Sequence, residues 1–255
     1  MNALTSDPVT HDNIQLQSSS STCTKKFIFR SRKKDFPDKY GTDSDSEDTE
    51  TLEVIIPERM EASYGLYVWP CAPILAWYLF EHRNFLRGKR VLELGAGTAL
   101  PGILCALCGA DVTLSDSGKL PHCLEQSRKT VEANGLKGKV KVVGITWGLF
   151  LHDLIQLRNK VDVILGSDCF FDPVVFEDLI STIAYLLESN PGAKFLGTYQ
   201  ERSSDWSIEP VLKKWGLGCK HIPLNELANS CEVDLPQLLQ DHTIHLIEIT
   251  VQSNA

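Results

Sequence analysis

Three acidic side chains and a pair of glycines are spaced as a chain would space them to hold a nucleoside cofactor. The run from Val91 to Leu94 is apolar apart from Glu93, and it leads into a turn carrying Gly95 and Gly97 before Pro101 and Gly102. Without a Cβ, Gly95 and Gly97 permit positive φ and let the backbone lie against a ligand. A dinucleotide fingerprint would need a third small residue at position 100, which is Leu100, and Glu93 stands where a pyrophosphate would be repelled. A cationic or zwitterionic cofactor suits this turn better. Asp116 follows Gly97 by 19 residues, near the roughly 20-residue offset at which a carboxylate takes ribose hydroxyls. Further along, Asp168 precedes Phe170 and Phe171. Asp172 directly before Pro173 reads as a helix cap rather than a second acid.

These residues need a scaffold that brings distant chain positions to one edge. Short β-branched runs alternate with amphipathic segments from about residue 52, the pattern of βαβ units in a mostly parallel sheet. Strands are predicted at 90–94, 111–115, 139–145, 161–166, 194–198 and 218–222, and helices at 101–108, 120–134 and 173–188. The run 242–251 alternates apolar and polar residues, as an antiparallel strand with one wetter face does. The segment from Trp69 to Glu81 is predicted to be a helix covering the ligand edge.

Residues 1–50 are rich in Ser, Thr, Asp and Lys, with a basic cluster around Lys25, Arg30 and Lys34 and an acidic run from Asp43 to Glu50. Such a segment is expected to stay a disordered charged tail, leaving 51–255 as the folded domain. Phe27, Ile28 and Phe29 interrupt the basic cluster, which otherwise resembles a nuclear-import patch. With 25 basic against 33 acidic residues the formal charge is −8, which argues against direct nucleic-acid readout. Eight cysteines lie without paired C-x-x-C clusters. Cys105 and Cys108 therefore read as buried packing residues rather than metal ligands. The longest apolar stretch is broken by Pro70 and Pro73, short of a membrane span. No signal peptide opens the chain, so the expected setting is cytoplasmic and nuclear.

The set Glu93, Gly95, Gly97, Asp116 and Trp147 after the third core strand resembles the seven-strand S-adenosylmethionine-dependent methyltransferases. The lead-in Tyr64 to Pro70, with Trp69-Pro70, and the segment Ser167 to Phe171 narrow the likeness to the methyltransferase-like protein (lysine) methyltransferase group over about residues 52–251. That resemblance implies a Rossmann-like seven-strand sheet, mostly parallel with an antiparallel strand near its C-terminal end and helices on both faces. It implies that Trp69, Gly95, Gly97, Asp116, Trp147 and Ser167 line an S-adenosylmethionine pocket. Glu93 would accept from the methionine amine, and Trp147 would lay its flat face over the adenine. Asp168 and Phe171 become the catalytic pair acting on a protein substrate: Asp168 would orient the acceptor nitrogen, and Phe170 and Phe171 would be aromatic walls that lower an amine pKa by desolvation. A covered sheet and an acidic surface make a monomer the expectation.

Phe171 departs from the group, whose motif has Tyr there. A lysine acceptor loses that hydroxyl. An arginine acceptor wants two acidic groups in a fork, which Asp168 with Asp172 or Glu201 would supply, so both nitrogens stay open. Nucleobase methylation falls away because no Pro-Pro follows position 168. Tyr199 to Trp206 is expected at the substrate mouth. A catalytically silent scaffold of the same fold is the remaining alternative.

Overall fold

The computed structural model describes residues 22–32, 49–59, 65–225, 234–239 and 241–252. Its strands are β1 (Thr22–Arg32), β2 (Thr49–Arg59), β3 (Arg90–Leu94), β4 (Asp111–Asp116), β5 (Lys141–Gly144), β6 (Val163–Ser167), β7 (Lys194–Gln200), β8 (Leu217–Ile222) and β9 (Ile244–Val251). The helices are α1 (Cys71–Glu81), α2 (Arg83–Leu86), α3 (Leu100–Leu107), α4 (Pro121–Ala133), α5 (His152–Ile155), α6 (Phe176–Ser189), α7 (Glu209–Lys214) and α8 (Leu235–Leu239).

The period-2 geometry of a strand decides which face each side chain serves. On β3, Val91 packs with α1 and α3 on one side of the sheet, while Leu92 and Leu94 pack with α6 on the other. Both faces are buried, which is why β3 and β6 read as continuous apolar runs. Seven strands form the sheet in the order β5-β4-β3-β6-β7-β9-β8. Strands β5, β4, β3, β6 and β7 are parallel, and β9 runs antiparallel between β7 and β8. The alternating run at 242–251 is thus the antiparallel strand, inserted one place inside the edge. The chain leaves β3 toward β4 on one side and returns to β6 on the other. The carboxyl ends of β3, β4 and β6 therefore frame a crevice, the place where such sheets bind ligands.

The charged segment behaves differently from expectation. Thr22–Arg32 is not part of an unpaired tail but pairs antiparallel with β2, Phe27 opposite Val54 and Phe29 opposite Leu52. The apolar interruption of the basic cluster explains this: Phe29 is buried against Trp77 and Phe80, with ring centroids 4.8 and 5.6 Å away. Lys25 and Lys26 stay exposed while Phe29 is buried, so a charged composition conceals a half-buried ribbon. Residues 1–21 and 33–48, the rest of the expected tail, lie outside the described residues.

This ribbon also places the Trp69 segment. Glu58, buried at the end of β2, accepts from the Val68 amide at 2.7 Å and pairs with Lys25 at 3.1 Å. Asn134 at the end of α4 donates to and accepts from the Ile55 backbone, fastening the ribbon to the sheet's helical layer. Cys105 and Cys108 pack in the core on α3, as expected of small apolar residues. No helix among the described residues is long and apolar enough to cross a membrane.

Candidate active site

A cavity of about 420 Å³ opens at the carboxyl ends of β3, β4 and β6. Glu93, Gly95, Gly97, Asp116, Trp147, Ser167, Asp168, Phe171 and Trp69 all line it. The sequence separates these residues by as much as a hundred positions, and the parallel topology brings them to one edge.

The turn after β3 is built for close approach. Gly95 and Gly97 have φ of 60° and 50°. A Cβ on Gly95 would stand 2.9 Å from Trp147 Cζ2 and 3.2 Å from Cys169 Sγ, and one on Gly97 would stand 3.0 Å from the Gly65 Cα. Only glycine fits either position. The Gly97 amide donates to Asp116 Oδ2 at 2.9 Å, the Ser117 amide donates to Asp116 Oδ1 at 2.7 Å, and Ser127 Oγ donates to the Gly97 carbonyl at 2.9 Å. Asp116 thus fixes the turn while the remaining lone pairs of its carboxylate stay on the cavity side. Burial pushes its pKa up, and the two amides oppose that shift.

Glu93 points away from the α6 face, where its Oε2 accepts from the Gly102 amide at 3.0 Å. A Cβ on Gly102 would fall 2.4 Å from that oxygen and 2.4 Å from Leu114 Cδ2. The third glycine of the segment therefore makes room for a carboxylate. Burial pushes the Glu93 pKa up to about 8 against the opposing Gly102 amide, with the Asp116 charge adding to the rise. A buried carboxyl held at that value seeks a cationic group.

The other end of the cavity carries different chemistry. Asp168 is buried in the left-handed region with φ 55°. Its amide donates to the Thr198 carbonyl at 2.7 Å, and the Gln200 amide approaches Oδ1 at 3.4 Å. Arg202, from the segment after β7, donates Nη1 to Oδ1 at 3.0 Å and Nη2 to Oδ2 at 2.7 Å. This bidentate pair was not foreseen: nothing in spacing links positions 34 apart, and the only signal was the expectation that Tyr199 to Trp206 forms a mouth.

Three candidate residues fall elsewhere. Phe170 is not a wall of the cavity but a core residue, edge-on to Phe176, Phe195 and Tyr199, because the bend at Asp168 turns it under the sheet. Asp172 caps the short helical turn at Pro173 by accepting from the Val174 amide at 2.9 Å. Glu201 faces His245, 3.0 Å away, so neither acid joins Asp168 in a fork. Phe171 does border the cavity, its ring 6.5 Å from that of Trp147. Trp69 lies just ahead of α1, stacked near Tyr67 at 4.5 Å, instead of inside the helix. Tyr64 lies outside the described residues. The sequence reading also left out Gly65, whose backbone closes against Gly97 at a φ of 78°; the available hint was a glycine within the Tyr64 to Pro70 lead-in.

A protein-family model described as lysine methyltransferase matches residues 48–208. The chain is 47% identical over 209 residues to the histone-arginine methyltransferase METTL23 of Xenopus laevis, spanning 81% of this chain and 88% of that protein. The Homo sapiens protein of the same name is 48% identical over 186 residues, 72% of this chain and 97% of its own. EEF1A lysine methyltransferase 3 of Xenopus tropicalis is 37% identical over 137 residues, 52% of this chain and 58% of that protein. The motif likeness, which runs to methyltransferase-like protein twenty-three within its group, agrees with these names. A solved S-adenosylmethionine-dependent methyltransferase from Agrobacterium tumefaciens superposes with a TM-score of 0.52 at 16% identity, covering 78% of this chain and 68% of that one. That likeness establishes the shared fold.

Proposed function

Because the chain belongs to the lysine methyltransferase family and is an S-adenosylmethionine-dependent protein methyltransferase, we propose that its acceptor is an arginine side chain of a protein, histones among them. The observation that carries this reading is the Asp168 carboxylate, buried at the cavity and already shaped to take a guanidinium through both oxygens. Relatives named histone-arginine methyltransferases support it.

The residues present fit the cofactor. The turn at Gly95 and Gly97 borders the cavity and packs so closely on Trp147, Cys169 and Gly65 that no Cβ fits there. Asp116 is placed to take the ribose hydroxyls, Glu93 to meet the amino group, and Trp147 with Trp69 to enclose the apolar parts. Bound there, S-adenosylmethionine supplies an electrophilic methyl group on a sulfonium.

The chain's own work is positioning, which is worth up to ~7 to 11 kcal/mol where an attacking geometry is fixed. Asp168 would hold two N–H groups of the acceptor in one plane, since a guanidinium keeps its proton at any ordinary pH. That hold draws positive charge toward the carboxylate and leaves the third nitrogen facing the methyl donor. The nitrogen that takes the methyl group then loses one proton to solvent at the cavity mouth, while Asp168 stays an ionised acceptor. Phe171 and Trp147 exclude water from the path, which strengthens the Asp168 contact. A lysine ammonium would offer no planar fork to Asp168.

The test is transfer of labelled methyl from S-adenosylmethionine to purified core histones, with mass spectrometry of the modified residue. Label on arginine, lost in Asp168→Asn, is the expected result. Label on lysine alone would overturn the reading.

A further inference from the structure

Arg202 presents Asp168 with the same chemical group that a substrate arginine would bring. Resting on the arginine reading above, we propose that Arg202 is a resident stand-in for the substrate's guanidinium: it sits on Asp168, keeping the buried carboxylate paired, until an acceptor arginine displaces it.

The two partners are held unequally. The Asp168 side chain is 6% exposed and that of Arg202 24%. Asp168 is fixed by its amide bond to Thr198 and approached by the Gln200 amide. Arg202 instead comes from an exposed segment: its neighbour Glu201 donates its amide to the Thr243 carbonyl at 2.8 Å and faces His245, while beyond Arg202 the bonds are local, the Asp205 amide to Ser203 Oγ at 3.3 Å and the Trp206 amide to the Ser203 carbonyl at 3.2 Å. Its further contact at Nη1 is the Gln200 carbonyl at 3.4 Å. Arg202 belongs to none of the buried apolar clusters, whereas Asp168 directly follows β6.

The exchange conserves what a buried carboxylate requires. One guanidinium leaves as another arrives, so Asp168 keeps two charge-assisted bonds and a compensating charge throughout. An ammonium displacing Arg202 would trade a bidentate fork for a point contact. Displacing Arg202 costs every entering cation the same, so the preference for a guanidinium lies in the Asp168 fork, and the resident arginine sets how tightly any acceptor binds.

The experiment uses the full chain and its Arg202→Ala and Arg202→Lys variants. Ethylguanidinium and ethylammonium are titrated against each and followed by calorimetry. Arg202→Ala is expected to bind ethylguanidinium at least ten times more tightly than the unaltered chain does, to prefer it to ethylammonium, and to lose binding when Asp168→Asn is added. On core histones, Arg202→Ala should show a lower KM and competitive inhibition by ethylguanidinium, with Arg202→Lys in between. Rescue of a depressed kcat in Arg202→Ala by ethylguanidinium would overturn the proposal, because it would make Arg202 a permanent positioning residue. Absence of ethylguanidinium binding to Arg202→Ala would overturn it as well. If no form methylates histones, the arginine reading fails while the binding comparison still decides whether Asp168 is an exchangeable guanidinium seat.

Discussion

At the cofactor end of the cavity, Asp116 takes the backbone amides of Gly97, in the turn after β3, and of its own neighbour Ser117, and the glycines touch neighbouring backbone and ring atoms. At the acceptor end, Asp168 takes a side chain delivered by an exposed segment 34 positions away. The first arrangement cannot loosen without unfolding the turn after β3. The second can exchange one cation for another while the sheet stays still. A methyltransferase must recognise one invariant cofactor and admit a large, variable partner, and the two ends divide that requirement between rigid backbone and replaceable side chain.

If that division holds, changes at one end leave the other untouched. The largest effect is expected from Gly95→Ala or Asp116→Ala, which should weaken S-adenosylmethionine binding by at least about 100-fold in calorimetry, since a misplacement of about 1 Å costs that much. Asp168→Asn should bind the cofactor as tightly as the unaltered chain, and lower kcat on core histones by about 100-fold. Asparagine tolerates the left-handed φ of position 168, so this variant should keep its fold. Equal loss of cofactor affinity in Asp168→Asn would mean that the two ends are one unit.

Gly102→Ala should destabilise the chain by about 1–3 kcal/mol, the usual cost of inserting a methyl into a filled core, read as a lowered thermal midpoint. The added Cβ meets Glu93 Oε2 and Leu114, both fully enclosed, so cofactor affinity should fall with it.

A smaller effect is expected from pH. In the folded chain Glu93 keeps its proton to about pH 8, against an ordinary value of 4.5. Folding then takes up a proton between those values. The stability contributed is full below about pH 4.5 and is lost as pH rises through about 8. Glu93→Gln should flatten that slope in denaturant titrations between pH 5 and 8. At pH 7, binding the cationic amino group should release a proton, detected as a binding heat that depends on buffer ionisation enthalpy. A heat independent of buffer would remove Glu93 from the cofactor's contacts.

Smallest of all, Phe171→Tyr should alter histone methylation by no more than about 0.5 kcal/mol, roughly twofold. The Asp168 fork rather than a hydroxyl at 171 then carries acceptor recognition. A tenfold gain would return the missing hydroxyl to the centre of the mechanism.

Local chemistry made much of this legible in advance. Arg90–Leu94 is the strand its apolar run requires, Leu100–Leu107 begins one residue ahead of the predicted helix, and Ile244–Val251 is antiparallel as its alternation demands. That Glu93, Gly95, Gly97 and Asp116 would share one cavity could be read because their placement depends on a strand, a turn and an offset within one βαβ unit. Phe170 and Phe171 could not be told apart, since which of two adjacent rings faces the cavity depends on the backbone bend at Asp168. The ribbon at Thr22–Arg32 was hidden because its charge dominated the composition while two alternating phenylalanines set its packing.

The amino-acid sequence by itself therefore determined the parallel sheet, the glycine turn and the chemical class of the cofactor, all of which follow from propensity, periodicity and short-range spacing. Only the tertiary structure decided that Arg202 meets Asp168, that Glu201 and Asp172 do not, and that Glu58 of the ribbon holds Val68 beside Trp69. Those contacts join segments whose separation carries no periodic signal, and the charges involved find their partners through the burial and geometry that the closed fold imposes.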